Sequence, residues 1–213
     1  VLSNSNILAT SHLTSTLSQS GTTLNLKNVY FNSTQSNGFP DEGEVLIPFY
    51  DTSVTPNRWN MERILYGSKN TSANTLTVAT NGRGNDGTTA AAHTVITGTY
   101  SVSQNSTSVT ISLGSNHNFT TGENRVYLDF TSGTNIVQTD NNAADPSNNY
   151  VTHTPPDGVY DVTVVSAQVF TIEIPNELRR INPASANSYF DTGYPATITG
   201  NVSLLPEVRL RSL

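Results

Sequence analysis

The strongest constraint on the fold is a two-residue rhythm in the second half of the chain. Tyr100 and Val102, then Val109, Ile111 and Leu113, then Val126, Leu128 and Phe130 stand at alternate positions, with mostly Ser, Thr and other polar residues between them. The rhythm returns in Tyr160, Val162 and Val164, in Phe170, Ile172 and Ile174, and in Val202 and Leu204. Successive side chains of a strand point to opposite faces, so this pattern specifies half-buried antiparallel strands and not helices. Asp157-Gly158 opens a hairpin. Six short strands with polar turns predict a small β-barrel over residues 97–204. Two long polar insertions, 134–156 and 176–196, interrupt it, and insertions on a stable barrel are natural places for subunit contacts.

The first half is less regular. Leu24 to Phe31 and Glu44 to Phe49 read as strands, separated by turn chemistry at Phe39-Pro40-Asp41-Glu42-Gly43. Tyr50 to Met61 reads as a loop carrying the only Trp, Trp59. Arg63 to Tyr66 and Thr75 to Val78 read as two further strands, with a turn at Gly67 to Asn70. A Gly/Asn loop at Asn81 to Gly87 then leads through Ala90, Ala91 and Ala92 to His93. Its glycines supply the positive φ angles that a tight reversal needs. Residues 23–96 are therefore expected to form a first β module. Residues 1–22 read as an extended N-terminal arm, and residues 205–213, where Val208 and Leu210 alternate with Arg209 and Arg211, as an edge strand or C-terminal arm. Helix is confined to one expected turn at Asn176 to Arg180, after Pro175. The expected fold is all-β: two small β-barrel or sandwich modules in tandem with extended terminal arms.

Charged residues make up 12% of the chain, about half the usual share. Roughly 80 residues are Ser, Thr or Asn, the polar, weakly charged surface that extended β proteins present to solvent. Disorder is the rival explanation of such polarity, and the apolar alternation excludes it for most of the chain. A net charge of −6 leaves no basic stripe to release counterions, which argues against nucleic acid and anionic membranes as partners. No cysteine is present, so disulfides and thiolate metal sites are excluded. No apolar run approaches a membrane span. The chain starts at Val1, which reads as processing, trimming or partial numbering.

Catalytic groupings are absent. His12, His93, His117 and His153 lie far apart in polar loops without metal spacing and read as solvated histidines. Asp41, Glu42 and Glu44 form an acidic cluster that reads as a solvated turn, and Asp140, Asn141, Asn142 and Asp145 form a second candidate Ca²⁺ loop. Gly87 is followed by Thr88-Thr89 and no Lys, so the Gly/Asn loop fails the requirements of a phosphate-binding loop. Asp129 and Asp161 are conceivable as a glycosidase pair, but both hold outward positions of the alternation. Trp59, Tyr50 and Tyr66 are candidate contact aromatics, with burial in the core the simpler reading for Trp59. Arg179, Arg180, Arg209 and Arg211 are the only local positive bias. With Trp59 they are the candidate assembly contacts. No catalytic, cofactor-binding or metal residue is expected.

Two runs resemble modules of tailed-bacteriophage virion proteins, of a kind common in phages of cyanobacteria and marine bacteria. The first includes Phe39-Pro40, Gly43 to Ile47, Glu62 to Tyr66, Asn74 to Thr77, Asn81 to Gly84 and Asp86 to His93. The second includes Gly98 to Ser101, Val109 to Ile111, His117 to Gly122, Val126 to Gly133, Asp157 to Tyr160, Phe170 to Ile172 and Thr199 to Val202. It is similar in pattern to a small barrel domain described in ubiquitin-activating enzymes, without implying that activity. Together the runs span about residues 39–204. The chain departs from the pattern by an expanded loop at Tyr50 to Asn60 and by the two insertions. The resemblance implies a structural component of the phage particle, in the tail (fibre, baseplate or neck) or as a capsid decoration or cement protein. It implies no catalytic residues and no cofactor. The expected partners are copies of the chain, as a trimer, and other virion proteins. The alternative is a carbohydrate- or receptor-binding module of the tail that contacts a host-surface glycan.

Overall fold

The computed structural model describes residues 7–29, 38–103, 106–122, 124–132, 154–175 and 197–211. Among them the chain is all-β, with no helix, and its strands form two curled sheets. It divides into two compact units, Val1–Val95 with Leu205–Leu213, and Ile96–Leu204.

In the first unit the strands are β1 (Ile7–His12), β2 (Thr23–Asn25), β3 (Gly43–Asp51), β4 (Arg58–Asn70) and β5 (Thr75–Val78), joined by the last strand of the chain, β13 (Glu207–Arg211). Their order is β1-β13-β3-β4-β5-β2, curled into a half-barrel. The two segments expected as arms are thus, over Ile7–His12 and Glu207–Arg211, strands of this sheet. β13 is an interior strand, paired on one side with β1 and on the other with β3. The reason is its alternation: Val208 and Leu210 are buried in the same core as Val45, Ile47 and Ile64, and an arm would have left them in water. The loop expected at Tyr50 to Met61 is also corrected. β3 runs to Asp51 and β4 starts at Arg58, with Tyr50 opposite Trp59 and Pro48 opposite Met61. β4 likewise continues through the expected turn at Gly67 to Asn70, and the reversal falls between Asn70 and Thr75. Asn70 Oδ1 caps it, accepting from the N–H groups of Ser72 and Ala73.

The second unit holds β6 (Ile96–Ser103), β7 (Ser108–Leu113), β8 (Arg125–Ser132), β9 (Gly158–Asp161), β10 (Thr163–Val164), β11 (Val169–Glu173) and β12 (Thr197–Leu205). Their order β10-β11-β7-β6-β12-β8-β9 makes a nearly closed barrel. The chain crosses between the two outermost strands, β9 and β10, through the buried Val162 alone, so the stretch expected as one strand is divided there. Every alternating apolar residue named above is buried except Val164, which is half-buried. Tyr100, Phe130 and Tyr160 meet edge to face, with centroids 5.4 and 6.1 Å apart.

Gly200 permits this packing. It sits opposite Tyr100 in the β12–β6 ladder, and a Cβ there would lie 2.5 Å from the Tyr100 ring and 2.6 Å from the Thr131 carbonyl oxygen. Gly200→Ala is expected to destabilise the barrel by about 1–3 kcal/mol, the range of an overpacked core. Urea denaturation followed by far-UV circular dichroism checks it, and an unchanged midpoint would contradict the close approach.

Candidate functional site

The two-residue period of β4 places Glu62, Ile64 and Tyr66 on one face, and that face is the core. Glu62 is 0% exposed, opposite the buried Ile47. A carboxylate there requires a buried cation and a full set of donors. Both come from the run after β5. Arg83 grips the carboxylate with two parallel bonds, Nε to Oε1 at 2.7 Å and Nη2 to Oε2 at 2.9 Å. The N–H of Gly84 donates to Oε1 at 3.0 Å, and that of Ala91 to Oε2 at 2.9 Å. His93 Nε2 completes the set at 2.7 Å from Oε2. With the carboxylate ionised Nε2 donates, and His93 Nδ1 is buried without a hydrogen-bond partner.

The other Arg83 donors reach backbone carbonyls: Nη1 to Ser18 at 2.7 Å and Gly21 at 3.0 Å, and Nη2 to Ala91 at 2.6 Å. All five guanidinium N–H groups are therefore used. Leu17 and His93 also exchange backbone hydrogen bonds of 3.0 and 2.8 Å. One side chain thus ties the segment before β2 to the Gly/Asn loop. Gly84 has φ +60°, and a Cβ there would stand 2.8 Å from the Ala90 nitrogen, so the loop needs glycine at this point.

A second carboxylate, Glu44, is 1% exposed on the opposite face of the sheet. Arg63 binds it through Nε at 2.8 Å and Nη2 at 3.0 Å, Asn85 Nδ2 donates at 3.1 Å, and Arg211 Nη1 lies 3.2 Å away. Arg63 also pairs with Asp86. Burial pushes both carboxyls up, but their hydrogen bonds and the guanidinium charges outweigh it. Glu62 is held at about 2, and Glu44 is held below its ordinary value.

These clusters are chemically closed. Glu62 is inaccessible and its lone pairs are taken, so it has no capacity left to act as a general base. Asp129 and Asp161 are not arranged as a hydrolytic pair. Arg125 stands opposite Asp161 and bonds it at 3.1 Å, and Asp129 is four residues further along β8. That is about 13 Å of strand, against carboxyl separations of about 5–9.5 Å in glycosidases. Among the described residues no three His, Asp or Glu side chains group as metal ligands. A shallow groove of about 570 Å³ on the barrel is lined by Thr97, Thr99, Ser112, Asn201 and Ser203 among others, with no titratable side chain.

None of the described histidines is fully solvated. His93 and His117 are buried, and His12 is half-buried. His117 bonds the Ser166 carbonyl through Nε2 at 2.8 Å, accepts the Phe119 N–H on Nδ1 at 2.9 Å, and stacks on Phe119. Of the acidic turn, Asp41 is 3.4 Å from Lys69 Nζ, and Glu44 faces away into its arginines. Tyr66 is core, with its hydroxyl on the Pro40 carbonyl. Trp59 is not core: it is 42% exposed and edge-on to Tyr50 at 5.6 Å. Trp59, Arg209 and Arg211 fall on one face of the six-stranded sheet, opposite the core. Arg179, Arg180, His153, the Asp140–Asp145 loop and the expected helical turn at Asn176 to Arg180 lie outside the described residues.

Glu62→Ala leaves Arg83 buried without its counter-ion and is expected to cost about 3–5 kcal/mol, read from urea denaturation followed by Trp59 fluorescence. Arg83→Lys is not a rescue, because an ammonium cannot reproduce the five-donor fork. Stability is also expected to fall with pH in two steps. Burial and Lys27 hold His12 down at about 4 against the opposing pull of Glu207. The unfolded chain therefore takes up a proton first, and stability declines from pH 6.5 toward 4. The Glu62 contribution is complete above its ordinary 4.5 and is lost toward 2. His12→Gln should remove the upper step alone.

Comparison with known proteins assigns no further role to these residues: no protein-family model, curated protein or solved structure matches the chain.

Proposed function

We propose that the chain is a structural component of a bacteriophage particle, built from two β modules that assemble with copies of itself and with other virion proteins. The observation that carries this reading is the run Asn74 to His93, which resembles a phage module motif. The geometry of that run supports a scaffold role. Its Gly84 and Ala91 N–H groups serve a buried glutamate of the same chain, where a ligand loop would turn its N–H groups outward. In this role the protein is neither an enzyme nor a cofactor carrier, and it engages neither nucleic acid nor membrane. It acts by assembly, with modest contacts multiplied by symmetry. The tail apparatus and the capsid surface both fit this role.

A second reading, a carbohydrate- or receptor-binding module, is favoured by the exposed Trp59 beside Tyr50 at the end of the β3–β4 hairpin. Exposed aromatic faces stack on sugars and partners alike. Glycan-array binding lost on Trp59→Ala would select it.

The particle role predicts that the chain copurifies with highly purified virions at a fixed stoichiometry and labels one location, head, neck or tail, by immunogold imaging. Its absence from such virions would sink the proposal.

A further inference from the structure

The six-stranded sheet keeps its core on one side. Val45, Ile47, Ile64, Val208 and Leu210 point there and are buried. The two-residue period sends Leu46, Pro48 and Tyr50 of β3, and Trp59 and Met61 of β4, to the other side. The register gathers them into a strip, with Pro48 directly opposite Met61 and Tyr50 opposite Trp59. A half-solvated antiparallel sheet carries polar residues on its outer face. Here four of the five side chains are half-buried and Trp59 is exposed.

The charge around this strip differs from that of the chain. Glu44, Asp86 and Glu207 are matched by Arg63, Arg209 and Arg211, three against three, so the face is neutral. The whole −6 therefore resides elsewhere. The three arginines are each in ion pairs: Arg63 with Glu44 and Asp86, Arg211 with Glu44, and Arg209 Nε with Glu207 at 2.7 Å. Their pairing leaves no free cation for a phosphate or a nucleic acid to read. Elsewhere two copies of a chain at −6 repel. On this face they do not, and one copy's Arg209–Glu207 dipole can be answered by the other's.

We infer that the outer face of β13, β3 and β4 is a contact between two copies of this chain, with the Leu46–Tyr50 and Trp59–Met61 strips stacked face to face. The inference deepens the assembly reading and rests on it for its biological setting. A face that meets itself generates a twofold contact. It therefore builds pairs, and the trimer expected from the resemblance would need a second, different surface. Sheets stacked this way lie about 10 Å apart, a spacing that Trp59, Tyr50 and Met61 are long enough to fill. The hairpin is pre-ordered, since Asp51 Oδ1 at its end accepts from the Ser53 N–H at 2.9 Å and hydroxyl at 2.6 Å. Little conformational entropy is lost on pairing.

Sedimentation velocity on the full chain tests this across the micromolar range. The wild type should self-associate reversibly, and Trp59→Glu should weaken the association at least a hundredfold while circular dichroism stays unchanged. Should Trp59→Glu impair folding, Arg209→Glu carries the test: it makes the face net negative and should dissociate the pair, and adding Glu207→Arg should restore it. A wild type that is monomeric throughout, or association unmoved by Arg209→Glu, overturns the inference. Trp59-dependent glycan binding by a monomer overturns it in favour of a ligand face. A chain present in virions yet monomeric in solution removes this contact and leaves the particle role standing. One that pairs through this face yet is absent from virions does the reverse.

Discussion

The first module depends on a carboxylate placed where an apolar side chain would ordinarily go. Glu62 is in phase with Ile64 and Tyr66, so folding β4 correctly forces its charge into the core. That cost is offset by the Arg83 fork, by His93 Nε2 and by N–H groups from two loop positions, Gly84 and Ala91. The segment after β5, and the Ser18 and Gly21 carbonyls before β2, therefore have one arrangement that satisfies the network. Replacing an ion pair with apolar residues is often neutral or stabilising. Its contribution here is a single loop conformation in a Gly/Asn run with little apolar surface of its own to fix it.

The barrel uses the opposite device. Among the described residues its core, with Tyr100, Ile111, Leu128, Phe170 and Ile172, contains no ion pair and is specified by shape. Gly200 makes room for the Tyr100 ring where a side chain would collide, and Val162 carries the chain between the outermost strands. One module is thus held in register by a directional polar network and the other by packing.

Legibility followed the physical signal. Where one face is buried and the other solvated, alternation alone placed β6, β7, β8, β11 and β12. The end of the β3–β4 hairpin, Tyr50 to Met61, reads as a loop because Tyr50, Trp59 and Met61 are apolar on the outer face, which destroys the alternation there. Glu62 was in plain view: a glutamate in phase with Ile64 and Tyr66 must point inward and calls for a buried arginine. Nothing local identifies Arg83 as that arginine, 21 residues away. From sequence His93 and His117 read as solvated, because polar neighbours along the chain say nothing of what packs over a ring in space.

By itself the sequence determined the all-β class, most of the strands of the second module and the Gly/Asn reversal at Asn81 to Gly87, because these depend on local periodicity and backbone sterics. Only the tertiary structure decided that β13 joins the first sheet, that Glu62 and Arg83 form its buried pair, and that Trp59, Arg209 and Arg211 share one face. Each of these is a pairing between residues distant in the chain. Strand partners are selected by the total apolar surface and polar satisfaction of the finished sheet, a quantity that no single stretch of sequence contains.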